Sequence, residues 1–109
     1  MLNSVALLFA LLLGCSGALL AAPLQLYTEE YPPVSFSREG RAVGMATEVV
    51  EEILRRQGQV ASIQVVPWAR GYQTVQRTPD TALFATIRNA EREASFQWVG
   101  PILLARDSF

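Results

Sequence analysis

The chain has 109 residues, a formal net charge of −1, no His and one Cys, and every basic side chain in it is Arg. That length allows one domain at most, and the charge excludes a nucleic-acid surface built on net basicity. The missing His excludes His-based acid–base catalysis and most zinc sites, and the lone Cys15 excludes an intrachain disulfide, which leaves a core this small marginal on its own.

Val5 to Leu13 is an unbroken apolar run, followed by Gly14 and small residues through Ala22. An apolar centre bordered by small residues reads as a secretory signal over residues 1–22. The run is too short for a comfortable transmembrane helix. Two processing readings compete. Ser16-Gly17-Ala18 fits a small-x-small cleavage site, whereas Leu12-Leu13-Gly14-Cys15 resembles a lipobox that would leave a lipidated Cys15. The free form is preferred, because Met1 to Ser4 carries no Arg or Lys and so lacks the usual positive start.

Residues 23–109 read as alternating strands and helices. Leu24 to Thr28 alternates as a first strand. Glu29 to Pro33 is a loop, forced by Pro32-Pro33. Val34 to Phe36 is a short extended segment, Arg38-Glu39-Gly40-Arg41 a turn, and Val43-Gly44-Met45 leads into a helix. In that helix Ala46, Val49, Val50, Ile53 and Leu54 form one apolar stripe. Glu51–Arg55 and Glu52–Arg56 are i,i+4 pairs on the opposite, solvated face. Arg55 and Arg56 suit the C-terminal end of the dipole, and Gly58 is the stop.

Ile63 to Val66 is a second strand, ended by Pro67. A short helix covers Ala69 to Gln76, with Tyr72 and Val75 inward. Thr78-Pro79-Asp80 is a turn, and Thr81 to Thr86 is a compact apolar strand. Asn89 to Ala94 is one helical turn capped by Asn89, and Trp98 to Pro101 opens a last extended stretch. This order is the grammar of an α/β fold with a parallel sheet.

From Leu24 onward the chain resembles the periplasmic solute-binding proteins that capture amino acids and related small solutes for ABC transporters (family 3). Five pieces carry the resemblance: Glu29-Tyr31-Pro32-Pro33 with Phe36; Gly44 before the amphipathic helix; Val66-Pro67-Trp68; Thr86 through Arg92; and Phe96 through Pro101. Their order and spacing are more specific than any one piece. The resemblance implies the type II periplasmic binding-protein fold, export to the periplasm, a small-molecule solute as ligand and an ABC transporter membrane component as partner. No cofactor, metal, nucleic acid or membrane span beyond the leader is expected. Members are two-lobed and more than twice as long, so residues 23–109 are expected to be a partial first lobe.

In that family the first lobe stacks aromatic rings on the ligand and grips its carboxylate with an arginine. Tyr31 and Trp68 match aromatic positions beyond the carboxyl ends of strands, where open parallel sheets bind ligands; the competing reading is that both are packing residues. Arg92 matches the carboxylate-binding arginine, whose planar fork suits two oxygens. With Asn89 as cap, Arg92 falls in a first helical turn, where a cation opposes the dipole, and a local rule broken this way marks function. The competing reading is a surface ion pair with Glu91 or Glu93. Arg88 is a second candidate on the same loop. Where that family has a hydroxyl residue five positions before the arginine, this chain has Ile87, with Thr86 beside it.

The other classes are an extracytoplasmic sensory or interaction module, a non-functional remnant with an exposed sheet edge, and an enzyme. Catalysis is the least supported. Glu29 and Glu30, adjacent on one loop, do not give opposed carboxylates flanking a bond.

Overall fold

The computed structural model describes residues 23–102, an α/β arrangement of five strands, two α-helices and one 3₁₀ turn. The expected leader, its cleavage sites and Cys15 lie outside the described residues. Three strands make a parallel sheet: β1 (Leu24–Thr28) lies between β4 (Ala61–Val65) and β5 (Thr81–Leu83). Leu24 pairs with Ala61 and Thr28 with Val65, while Gln25 to Tyr27 pair with Thr81 to Leu83.

Side-chain alternation sorts the two faces. Leu26 is buried with Phe84 and Ala46, and Ala61, Ile63 and Ala82 pack on the same cluster. That face carries α1 (Met45–Gln57), through Ala46, Val50 and Leu54. Tyr27, Val66 and Leu83 face the other way, onto α2 (Trp68–Arg77). The helices therefore cover opposite faces of the sheet, in three layers.

The apolar stripe of α1 divides. Ala46, Val50 and Leu54 reach the core, but Val49 stays 41% and Ile53 44% exposed. The expected Glu51–Arg55 pair does not form. Arg55 turns to Glu52, which also takes Arg56, and Glu51 lies 4.0 Å from Arg41. One carboxylate accepting from two guanidiniums satisfies both without a second acid.

A hairpin joins β1 to α1, where only an extended segment and a turn are expected. Its strands are β2 (Phe36–Arg38) and β3 (Arg41–Val43). Glu39 and Gly40 both have positive φ, 52° and 75°, the two-residue connection whose twist matches paired strands. At Gly44 the backbone has φ 116° and ψ 173°, a region open essentially to glycine alone. A Cβ there would stand 2.6 Å from the Val34 carbonyl oxygen. This close approach lets Met45 N–H donate to Pro33 O and Ala46 N–H to Val34 O, so the 29–35 loop caps α1.

Two other elements differ from expectation. The strand read over Thr81 to Thr86 stops at Leu83: Phe84 N–H still donates to Tyr27 O, but Ala85 turns away with φ 57°. The helical turn read over Asn89 to Ala94 is instead a 3₁₀ turn at Glu93–Ser95, and Arg92 stands just before it. Asn89 Oδ1 accepts the Arg92 N–H at 3.0 Å, but the cap position of the 3₁₀ turn is Arg92 itself, without a side-chain cap hydrogen bond. A single 3₁₀ turn has little dipole, so the dipole argument for Arg92 lapses. Among the described residues no helix is long and apolar enough to cross a membrane.

Candidate functional site

Because β1, β4 and β5 are parallel, the segments that leave their carboxyl ends gather on one side of the sheet. These are the Glu29–Val34 loop, Val66-Pro67-Trp68 and the run from Phe84 to Arg92. A cleft of about 330 Å³ opens there, lined by Glu29, Glu30, Ser37, Val65, Val66, Pro67 and Trp68. Glu30 is engaged on its own loop, accepting Ser37 N–H at 2.8 Å and the Ser37 hydroxyl. A larger open groove, about 420 Å³, runs beside α1 between Arg41, Glu51 and Val60. It holds no aromatic ring and lies by the start of β4, away from the strand ends.

The strand-end side is organised by aromatic rings. Trp68 opens α2, and Tyr72, one turn on, lies 5.6 Å away between ring centres. Phe96 meets Tyr72 edge-on at 5.2 Å, and Trp98 meets Phe96 at 5.8 Å. Such edge-to-face contacts suit the ring quadrupole. The four rings thus dock the segment after β5 onto α2. Trp98 adds an indole N–H donated to Glu93 O.

Two arginines stand on this ladder. The Arg92 guanidinium carbon is 5.0 Å from the centre of the Trp68 ring and 5.7 Å from that of Tyr72. One of its N–H groups donates to Ile87 O at 3.0 Å. No carboxylate among the described residues lies within ion-pair range of it. Arg88 differs. It binds Glu93 through both Nε and Nη2, and lies 5.4 Å over the Trp98 ring. Hydrogen bonding within this pair raises Arg88 above its ordinary value and lowers Glu93 below the usual carboxylate value. The ion pair expected as the competing reading for Arg92 is therefore made by Arg88.

The first turn of α2 lies next to Arg92. Pro67 occupies its cap position without a side-chain hydrogen bond, and no acidic residue stands in that turn. Positive partial charge is thus left at the end where Trp68 begins. A planar guanidinium held on two rings, with one donor tied back and the rest without a partner among the described residues, is arranged to take an anion.

Of the residues singled out in the sequence, Trp68 and Arg92 are brought together. Arg88 shares their ladder but spends its fork on Glu93. Tyr31 is 60% exposed and held by backbone bonds with Ser35, and its ring meets neither Trp68 nor Arg92. Thr86 is not joined to them: its hydroxyl is buried without a hydrogen-bond partner, beside the turn at Ala85. Sequence reasoning missed Phe96 and Trp98 as ring partners, and read Tyr72 only as inward-facing. The i,i+4 spacing of Trp68 and Tyr72 was the available signal. Compared with family models, curated proteins and solved structures, the chain matches none of them.

Proposed function

We propose that the described residues form a lobe of an exported, type II periplasmic solute-binding protein, which holds a small carboxylate-bearing solute for ABC-type uptake. The observation that carries this reading is Arg92. It is a half-buried guanidinium mounted on Trp68 and Tyr72, without an acidic partner among the described residues, at the carboxyl ends of parallel strands. The ladder supports the same reading by fixing the fork before a ligand arrives, which lowers the ordering cost of binding. The apolar leader and its small-residue border support export to the periplasm.

Calorimetry of the full chain against acetate, succinate and L-glutamate tests it. Arg92→Lys keeps the charge but loses the fork. The loss of a charge-assisted hydrogen bond, about 1.5–3 kcal/mol, should weaken carboxylate binding roughly tenfold to a hundredfold. Equal binding by both proteins would reduce Arg92 to a surface charge and overturn the assignment.

A further inference from the structure

Beneath the candidate site lies a polar contact that neither the core nor the ligand-facing residues account for. Thr28 and Ser35 are almost completely buried polar side chains, at 1% and 0% exposure. Their hydroxyls are 2.8 Å apart. Ser35 Oγ also donates to Glu29 O at 3.0 Å, and Thr28 Oγ1 to Phe84 O at 3.3 Å. The Thr28 carbonyl accepts Val66 N–H at 2.8 Å. One residue at the end of β1 thus touches all three segments that leave the strand ends.

The proton count matters. Two hydroxyls carry two protons, and three oxygen–oxygen contacts compete for them. If both protons point outward, to Glu29 O and Phe84 O, the hydroxyl oxygens face each other with no proton between them. If one proton lies between them, one of the two carbonyls loses its donor. The hydrogen bond at one end therefore depends on the other, across a buried contact where such bonds polarise one another. Just past Phe84 stands Ala85, at φ 57°, followed by the unpartnered hydroxyl of Thr86. A non-glycine residue in the left-handed region is strained and persists where its surroundings hold it. The Phe84 carbonyl held by Thr28 is part of that hold.

We propose that Thr28 and Ser35 are positioning residues: their buried hydroxyl pair couples the Glu29–Val34 loop, which carries Tyr31, to the Phe84–Arg92 segment, which carries Arg92. This rests on the solute-binding reading for its purpose, but not for its test.

Amide hydrogen exchange followed by NMR on the full chain reads the coupling without any ligand. Ser35 makes no hydrogen bond to the segment after β5. Ser35→Ala takes away the competing acceptor and leaves the Thr28 proton to Phe84 O alone, so it should nevertheless slow exchange at Phe84, Arg92 and Glu93 by about twofold to fivefold, while the β4 amides stay at wild-type rates. Thr28→Val, which removes the donor to Phe84 O, should accelerate exchange at the same amides about five- to tenfold, the factor corresponding to one lost hydrogen bond, and Thr28→Ser, which keeps the hydroxyl, should leave them unchanged. In either variant, a change confined to Tyr31–Ser35, or spread evenly over β4 as well, would overturn the proposal. So would failure of both Ser35→Ala and Thr28→Val to fold while Thr28→Ser folds, because the pair would then serve the fold and not the loops. An acetate titration of the same proteins reads the other assignment separately. The affinity should fall about fivefold in Thr28→Val and hold in Thr28→Ser. No acetate binding by the wild type, with the exchange pattern intact, would overturn the solute assignment and leave the coupling standing.

Discussion

The two helices of this α/β domain are built on different principles. α1 follows the local rules of helix design. Glu48 stands in its first turn and Arg55 and Arg56 in its last, as the dipole favours. Gly58, at φ 62°, donates to Arg55 O while Gln59 donates to Leu54 O, a glycine-closed C-terminus. α2 follows few of them. It starts at an uncapped Pro67, has no acid in its first turn, and carries Gly71 in its interior, where glycine costs about 1 kcal/mol relative to Ala. What holds α2 is tertiary. Gly71 is buried because the helix lies directly on Val66 and Leu83, and the rings of Trp68 and Tyr72 are tied to Phe96 and Trp98. The candidate site lies on α2. The helix that locally stabilises itself is the scaffold, and the one that does not is where a ligand-facing surface has room.

Substitution at the two close-approach glycines tests that contrast. The largest effect is expected at Gly44, on the self-sufficient side. Its torsions are closed to Ala, and the new Cβ would strike backbone, at 2.6 Å from Val34 O and 3.0 Å from Pro33 O. Backbone has no rotamer to yield, so Gly44→Ala should cost at least about 3 kcal/mol. Urea unfolding should show a strongly lowered midpoint, and a loss under about 1 kcal/mol would mean that the 29–35 loop does not clamp α1 as described. Gly71→Ala should do far less. Its Cβ would meet side chains and not backbone: Val66 Cγ2 at 3.1 Å, Leu83 Cδ1 at 3.2 Å and Tyr27 Cβ at an ordinary 3.7 Å. The gain in helix propensity offsets the crowding, leaving stability within about 1 kcal/mol of wild type. A loss as large as that at Gly44 would show that α2 sits on the sheet as tightly as backbone on backbone.

The smallest effect is electrostatic. Glu52 on α1 is lowered below its ordinary value by hydrogen bonds from Arg55 and then Arg56, and Glu93 beside α2 by Arg88. A carboxyl with a depressed folded-state value contributes stability above its unfolded value, and that contribution is lost as pH falls through the folded one. Both pairs are exposed and screened. Glu52→Gln and Glu93→Gln should therefore each make acid unfolding slightly less steep below the ordinary carboxylate range, and 1 M salt should erase most of the difference. A large, salt-resistant change at Glu93 alone would mark the Arg88 pair as a structural lock on the Arg92 segment.

Much of the scaffold was legible in the sequence. The period of β1 and α1, the stops at Gly58 and Pro67 and the turn at Arg38–Arg41 are local signals, and each sits within a residue or two of its place. The hairpin was not legible. β2 and β3 have three residues each, too few to show a period. The short β5 was misread because Ala85 and Thr86 continue its apolar, β-branched composition while the backbone has already turned. For the site, Trp68 and Arg92 were legible as residues but their contact was not, since it spans 24 positions and depends on where the 3₁₀ turn places the chain. The place of Thr86 was not legible for the same reason: composition records a hydroxyl and not the direction in which the chain turns it. Thr28 and Ser35 gave no signal, because small hydroxyl residues in strands and loops are ordinary until both are found enclosed.

The chain has two tryptophans, and both belong to the ladder: Trp68 lies under Arg92, and Trp98 under Arg88. Intrinsic indole emission therefore comes only from the face proposed to meet the solute, with no background from the opposite layer. A guanidinium drawn toward an anion would change the field over one indole, while a broken Arg88–Glu93 pair would change it over the other. The two emitters stand on different segments, so replacing each in turn by Phe separates their spectra. The unlabelled protein is in this sense its own optical probe.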